Sequence, residues 1–192
     1  MIYLILGLLV FLGVHSVRIV ADDWRTRTVA RIGLLPWKAL YSVVSLLGLG
    51  LIVWGFGLAR QQPIQLWSPP VALRHLASVL TLGAFILLVA AYVPGNQIKA
   101  RLHHPMVLGM KAWALAHVLA NGNVAHVVLF GSFLAWGVLD FIAARRRDRA
   151  AGTPYPRGTG RATGITVILG IAAWVVVALW LHGVLIGVRA VG

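Results

Sequence analysis

Long apolar stretches separated by short polar segments dominate the chain. A spanning helix needs about 20 mostly apolar residues, and six stretches reach or approach that length. They cover residues 2–21, 39–58, 71–93, 105–121, 124–144 and 164–188. All eight prolines lie between these stretches or at a helix start, where proline is tolerated. The pattern predicts an all-α integral membrane bundle of six transmembrane helices, forming a single transmembrane domain over residues 1–192.

The composition supports this class and excludes several others. The chain has 17 Lys and Arg, 4 Asp and Glu, and no cysteine. A chain this apolar is neither a soluble enzyme nor disordered, and without cysteine it is no disulfide scaffold. The formal net charge of +13 has an ordinary explanation in membrane proteins, where loop Lys and Arg set the orientation. The sequence therefore predicts the lipid bilayer, and not nucleic acid, as the partner.

The distribution of these cations predicts the orientation. Thirteen Lys and Arg fall in the loops on one side of the predicted bundle and three in the loops on the other. Because cytoplasmic loops carry the excess of positive charge, both termini are expected outside the cytoplasm. The first stretch has no basic residue before Arg18, so it is interpreted as a retained helix and not as a signal peptide. Asn121-Gly122-Asn123 is expected to form a tight turn with positive φ between two helices.

Histidines are the main candidate ligands and catalytic side chains in the apolar stretches. The chain has seven histidines and no thiol, and its few carboxylates are not paired for acid–base catalysis. Polar groups at membrane depth are costly, and are functional candidates for that reason. His15 lies well inside the first stretch, either as a hydrogen-bonded core residue or as a ligand. His117 shares a helical face with Met106, Met110, Trp113 and Asn121, a face that suits either a flat apolar cofactor or helix packing.

The other polar residues leave more alternatives open. His104 and Lys111 share one helical face, and Lys111 either extends to the interface or binds an anionic group. Asp140 and Asp148 bracket an arginine run, where ion pairing is expected. Roles for the remaining histidines stay open; they are His75, His103, His126 and His182.

Several motifs resemble the NnrU family of bacterial membrane proteins. They are Gly13-Val14-His15-Ser16-Val17-Arg18, Trp37-Lys38-Ala39-Leu40-Tyr41-Ser42, Leu129-Phe130-Gly131-Ser132-Phe133 and, most specifically, the run from His104 to Asn123. The resemblance covers nearly the whole chain. It implies a multi-pass protein of the bacterial inner membrane, with a genetic association with denitrification and with nitric-oxide or nitrite reduction. In that membrane, the distribution of Lys and Arg predicts that both termini are periplasmic.

The same motifs are similar to those of the plastid zeta-carotene isomerases, which are haem b enzymes of the wider family. Their two histidine ligands match His15 and His117, but the cysteine three residues before the second ligand is Ala114 here. The resemblance implies a haem b whose iron is held by His15 and His117 from opposite faces. It also implies redox, nitric-oxide-related or isomerase-like chemistry, with a redox partner or a hydrophobic small-molecule substrate. Arg18 and Lys111 are candidates to pair with the haem propionates.

Other pairings and functions remain open. By helical rise, His117 lies closer to the outer surface than His15, so His126 or His182 is an alternative partner for His117. His103 or His104 is then the alternative partner for His15, which allows two haems. A second resemblance, at His104-Pro105 and Gly109, is to isoprenylcysteine-type methyltransferases and implies S-adenosylmethionine. His103 replaces the arginine of those enzymes, and the chain has no glutamate. A third possibility is a non-enzymatic accessory protein for a denitrification reductase.

Overall fold

A computed structural model describes residues 1–190, and those residues contain helices and no strand. The helices are α1 (Ile2–His15), α2 (Val17–Val20), α3 (Asp22–Ile32), α4 (Leu34–Ala59), α5 (Val71–Tyr92), α6 (Gln97–Leu102), α7 (Pro105–Ala120), α8 (Val124–Ala151), α9 (Gly160–Val176) and α10 (His182–Ile186). A π-helical turn, Val177–Leu181, joins α9 to α10. The predicted all-α class is confirmed.

Four helical segments are long and apolar enough to cross a membrane. They are Leu34–Ala59, Val71–Tyr92, Val124–Ala151 and Gly160–Ile186, while Ile2–His15 and Pro105–Ala120 are apolar but shorter. These segments identify a membrane protein. The largest differences from the predicted bounds are in the first stretch, which is divided at Ser16, and in α8, which continues beyond residue 144 through the arginine run to Ala151. That run is helical because it contains no glycine or proline before Gly152.

The described residues form two compact units. Unit 1 contains residues 1–68 and 121–144, and unit 2 contains residues 69–120 and 145–190. In unit 1, α1 and α4 run antiparallel at close approach. A Cβ atom on Gly48 would lie 2.8 Å from the Phe11 nitrogen, and one on Gly7 would lie 2.9 Å from the Gly48 oxygen. These glycines therefore let the two backbones pack directly, as small residues do in membrane helices.

Unit 2 is organised around α5, whose buried face consists of alanines. These are Ala77, Ala84 and Ala90. A Cβ atom on Gly109 of α7 would lie 2.8 Å from the Ala84 oxygen, and one on Gly170 of α9 would lie 2.7 Å from the Ile86 Cα. Gly109, packed against Ala84, therefore lets α7 approach α5 closely, and Gly170 does the same for α9 at Ile86.

Asn96 caps the end of α5 that is predicted to face the cytoplasm. It is 1% exposed, and its amide nitrogen donates to the carbonyls of Ala90, at 2.9 Å, and Val93. Its Oδ1 accepts from the Lys99 N–H and caps α6. Thr159 N–H donates to Gly95 oxygen at 2.8 Å, which attaches the start of α9 to this corner.

The segment 121–123 differs from its prediction. Gly122 is not among the described residues with positive φ. Its carbonyl instead accepts hydrogen bonds from the backbone N–H groups of Leu66, at 2.7 Å, and Trp67, at 3.1 Å. A Cβ atom on Gly122 would collide with the Trp67 carbonyl. Glycine is required here for close backbone contact and not for its left-handed conformation.

Candidate functional site

His15 is oriented by its own helix in unit 1. Its Nδ1 lies 2.6 Å from the Phe11 carbonyl oxygen. Because a carbonyl can only accept, Nδ1 carries the proton, and Nε2 of the neutral ring presents its lone pair. The ring stacks on Phe11, with centroids 4.2 Å apart, and contacts Tyr41 at 5.1 Å. The helix thus fixes the orientation of the His15 ring through Nδ1 and leaves Nε2 on the opposite side of the ring from this hydrogen bond.

Trp136 of α8 supplies a second polar group beside His15. The two ring centroids are 6.1 Å apart and the planes are nearly perpendicular, at 86°. Among the described residues, the Trp136 indole nitrogen is the one buried side-chain nitrogen or oxygen without a hydrogen-bond partner. Leaving such a donor unsatisfied costs about 1–3 kcal/mol. The environment of His15 therefore suits a bound group that accepts a hydrogen bond.

His117 is oriented in the same way in unit 2. Its Nδ1 lies 2.8 Å from the Trp113 carbonyl oxygen, and its ring centroid is 5.0 Å from the Trp113 ring. Here too the carbonyl requires the proton on Nδ1, so Nε2 presents the lone pair. The Trp113 contact agrees with the predicted aromatic face of α7. The ring centroid of His182 lies 6.5 Å from that of His117.

A polar cluster surrounds the His104-Pro105 motif. His104 Nε2 lies 2.6 Å from Asp148 Oδ2, and the Tyr155 hydroxyl donates to the same oxygen. Arg145 donates to His103 Nδ1, and the His103 ring contacts the Tyr155 ring. Asp148, expected to form an ion pair beside the arginine run, has His104 and Tyr155 as its hydrogen-bond partners. Tyr155 was missed by sequence reasoning, because no periodicity relates a loop tyrosine to a helix start.

The backbone at His103 is unusual. His103 has φ 71° and ψ −55°, and it is the one non-glycine residue with positive φ among those described. The His104 N–H donates to the Leu102 carbonyl at 2.9 Å, which closes a strained γ-turn. Burial, reinforced by the positive charge of Arg145, lowers the His103 pKa below its ordinary value. The ring is therefore neutral at pH 7.

Tyr155 is perturbed in the opposite direction. Burial, followed by its hydrogen bond to Asp148 and the charge of that carboxylate, raises the Tyr155 pKa to about 12. The phenol stays protonated and continues to donate to Asp148 at any physiological pH. These hydrogen bonds join the start of α7 to the loop after α8, and the cluster of His103, His104, Arg145, Asp148 and Tyr155 is called the latch below.

The remaining candidates are placed as follows. His126 Nδ1 lies 2.6 Å from Asn123 Oδ1, and its ring contacts Phe56. His75 is exposed. Arg18, a candidate for a haem propionate, donates to Asp22 at 3.2 Å. Among residues 1–190, no group of three or more His, Asp or Glu side chains could hold a metal ion.

The fold and the site geometry define the class of this protein. It is an apolar helical membrane protein in which backbone carbonyls orient the imidazoles of His15 and His117. The family described as NnrU protein matches residues 3–190, so the chain belongs to the NnrU family. No curated protein and no solved structure matches the chain.

Proposed function

We propose that this NnrU-family protein binds haem b, with His15 and His117 as iron ligands. The observation that carries the proposal is the shared orientation of the two rings. Each Nδ1 is held by the carbonyl four residues earlier, at 2.6 Å for His15 and 2.8 Å for His117. This hydrogen bond fixes the tautomer in which Nε2 can ligate, and it raises the basicity of the ring. The hydrogen bond that orients His15 lies within unit 1, and the one that orients His117 lies within unit 2.

The surroundings of the two histidines fit a flat, apolar group with polar edges. Phe11 and Tyr41 contact the His15 ring, and Trp113 contacts the His117 ring. Trp136 contributes a buried N–H that has no acceptor among residues 1–190. Bound haem b supplies reversible one-electron chemistry at iron. The aromatic side chains exclude water from the ligands, while the carbonyl hydrogen bonds hold both imidazoles in one orientation.

The apolar helices and the distribution of Lys and Arg also support a cellular location. We propose a multi-pass protein of the bacterial inner membrane, in which α1 and α7 add two shorter passes to the four long ones. The arginine run then faces the cytoplasm and both termini face the periplasm. Alkaline phosphatase and a cytoplasm-dependent fluorescent protein, each fused after Gly192, test this orientation. An active phosphatase with a dark fluorescent fusion is expected, and the reverse result refutes the topology.

The family resemblance suggests the physiological setting. A haem protein in this position would exchange electrons with a redox partner or act on a hydrophobic small molecule in the membrane, in a denitrification or nitric-oxide context. Isomerase-like chemistry is a narrower form of the proposal. Because Ala114 replaces the cysteine of the isomerases, ligand exchange to a thiolate at that position is impossible in this chain.

The absorption spectrum of detergent-purified protein tests haem binding. We expect a Soret band and sharp reduced-state bands from wild-type protein expressed with adequate haem supply. His15→Ala and His117→Ala should each lower haem per protein or change the spectrum, while His75→Ala, an exposed control, should change neither. A colourless wild-type protein refutes the proposal, and tight S-adenosylmethionine binding by that colourless protein would favour a methyltransferase. Wild-type haem content and spectrum in either test variant refute that ligand.

A further inference from the structure

Exposed cations gather at one end of unit 2, on three segments that are distant in the sequence. The segments are α6, the last turns of α8, and the stretch that leads from the loop after α8 into α9. We call this surface the basic corner, and its exposed cations are Lys99, Arg101, Arg146, Arg149, Arg157 and Arg161. Asp148 is the one Asp or Glu of unit 2, and it is engaged in the latch. Within residues 1–190, none of the six cations forms an ion pair.

Hydrogen bonds between the segments build this surface. The latch joins the start of α7, directly after α6, to the end of α8 and its following loop. The Thr159 N–H donates to the Gly95 carbonyl at 2.8 Å, and the Gln97 N–H donates to Thr163 Oγ1 at 3.0 Å. These bonds attach the start of α9 to the start of α6. The cations are therefore held together by tertiary contacts, although like charges repel one another.

The cations of α8 continue the exposed apolar face of that helix. Leu139 is 57% exposed and Ile142 is 50% exposed. Arg146 and Arg149 follow at spacings of four and three residues, so the four side chains lie on one helical face. By helical rise, Arg146 lies about 6 Å beyond Ile142 along the axis. An apolar surface thus leads directly to two exposed guanidinium groups.

The start of α9 has the same arrangement. Arg161 is exposed, and Ile165 and Ile168, which are 44% and 67% exposed, lie four and seven residues later on the same helical face. Exposed apolar side chains of a spanning helix contact the acyl chains of the bilayer, so cations at the end of that face lie at the level of the headgroups. A water-soluble polyanion would contact the cations alone, whereas a phospholipid contacts both parts of each face.

We propose that the basic corner binds the phosphate groups of anionic phospholipids, whose acyl chains lie along the exposed faces of α8 and α9. Five of the six cations are arginines, and a guanidinium can donate two parallel hydrogen bonds to one phosphate. Clusters of Lys and Arg at the ends of spanning helices attract anionic lipids. The inference is independent of haem, since it requires only that this end of unit 2 lies at a membrane surface.

Native mass spectrometry of the delipidated protein in an uncharged detergent measures lipid binding. The protein is titrated with phosphatidylglycerol and with phosphatidylcholine of the same acyl chains, which differ in the net charge of the headgroup. Each cation near a membrane surface strengthens the binding of an anionic lipid by about fivefold. We expect the wild-type protein to bind phosphatidylglycerol at least about tenfold more tightly than phosphatidylcholine. The preference should decrease as the ammonium acetate concentration rises.

Charge-removing and charge-preserving variants test the basic corner itself. The double variant Arg146→Gln with Arg149→Gln should bind phosphatidylglycerol at least about fivefold more weakly, with unchanged phosphatidylcholine binding. Arg146→Lys with Arg149→Lys keeps both charges and should keep the preference. Arg74→Gln is the matched control, because Arg74 is exposed at the opposite end of α5 in the same unit. Size-exclusion profiles confirm that each variant is folded.

The remaining outcomes overturn the inference. Equal affinities of the wild-type protein for the two lipids, or a full preference in the double Gln variant, show that the basic corner does not select anionic headgroups. An equal loss in Arg74→Gln shows that overall charge, and not this surface, attracts the lipid. Displacement of phosphatidylglycerol by millimolar inorganic phosphate would identify a site for small anions. Tighter binding of a single-stranded RNA oligonucleotide than of phosphatidylglycerol would identify a nucleic-acid surface.

Discussion

Asp148 should control whether the loop between α8 and α9 stays closed. Its Oδ2 atom accepts from both His104 and Tyr155, so Asp148→Asn weakens two interactions at once. The amide removes the negative charge that attracts His104. The shape of the side chain is preserved, so the effect of the charge is isolated from packing. We expect the loop to open more often while the membrane helices keep their fold.

The magnitude follows from the two hydrogen bonds. A hydrogen bond to a charged group contributes about 1.5–3 kcal/mol. The side chains of His104 and Asp148 are 24% and 17% exposed, so solvent weakens their interaction, and Asn retains one neutral acceptor. We therefore expect a net loss of about 2 kcal/mol, below the range of about 3–6 kcal/mol for the complete loss of two such bonds. This corresponds to an opening equilibrium about 30-fold larger.

Native-state proteolysis measures that equilibrium. Arg157 lies in the exposed part of the loop, and when opening and closing are fast the cleavage rate tracks the population of the open form. Trypsin cleavage after Arg157, followed by mass spectrometry, should be about 30-fold faster in Asp148→Asn. Asp23→Asn removes an exposed carboxylate elsewhere and should leave the rate unchanged. An increase of less than about threefold in Asp148→Asn, below about 0.7 kcal/mol, would refute the latch.

The stability of the latch should also depend on pH, and the pKa shifts of His103 and Tyr155 set the pH range in which the latch is stable. The pKa of His103 is lower in the folded protein than its ordinary value of about 6.5. Between these two pKa values the unfolded chain binds more protons at His103 than the folded protein does. The contribution of His103 to stability is therefore full above this pH window and declines as the pH falls through it. The Tyr155 pKa is raised to about 12, so its contribution is present below the ordinary pKa of about 10 and is lost as pH rises through about 12. Trypsin is unsuitable at these extremes, so the 295 nm tyrosinate absorbance should follow Tyr155. The Tyr155 part of this absorbance should titrate late in wild-type protein and earlier in Asp148→Asn. Identical titrations contradict the hydrogen bond.

Three further predictions test the remaining contacts. Trp136→Phe should remove the buried N–H beside His15 and shift the spectrum or midpoint potential of haem-loaded protein at unchanged haem content; an unaltered spectrum and potential argue against a bound acceptor. Asn96→Ala should lower the free energy of unfolding in detergent by about 2–4 kcal/mol, since two carbonyls and one N–H lose their partner, and intrinsic tryptophan fluorescence during heating reports it; a loss below about 1 kcal/mol contradicts the cap. Gly48→Leu should separate α1 from α4 and prevent a monodisperse preparation, whereas Gly50→Leu, at a glycine whose Cβ position is open, should be tolerated; equal behaviour of the two variants refutes the close approach.

Local patterns in the sequence determine much of this protein. The apolar stretches and the intervening prolines predict the helices, because helix ends depend on the few residues around them. The starts of α5, α7 and α8 at Val71, Pro105 and Val124 agree with the predicted boundaries. The anchoring of His15 and His117 by carbonyls four residues earlier is also local, since one helical turn brings these groups together.

Tertiary structure alone decided the contacts between distant segments. His104 and Asp148 are 44 positions apart, and no helical period relates them. The sequence alone therefore does not predict the latch. The same reason hid Trp136 beside His15. Gly122 shows the limit most clearly: local turn preference favoured a left-handed glycine, but contact with the Trp67 backbone determined the requirement. Hydropathy and turn propensity describe a residue and its neighbours along the chain, whereas packing and ligand geometry depend on which chain segments meet.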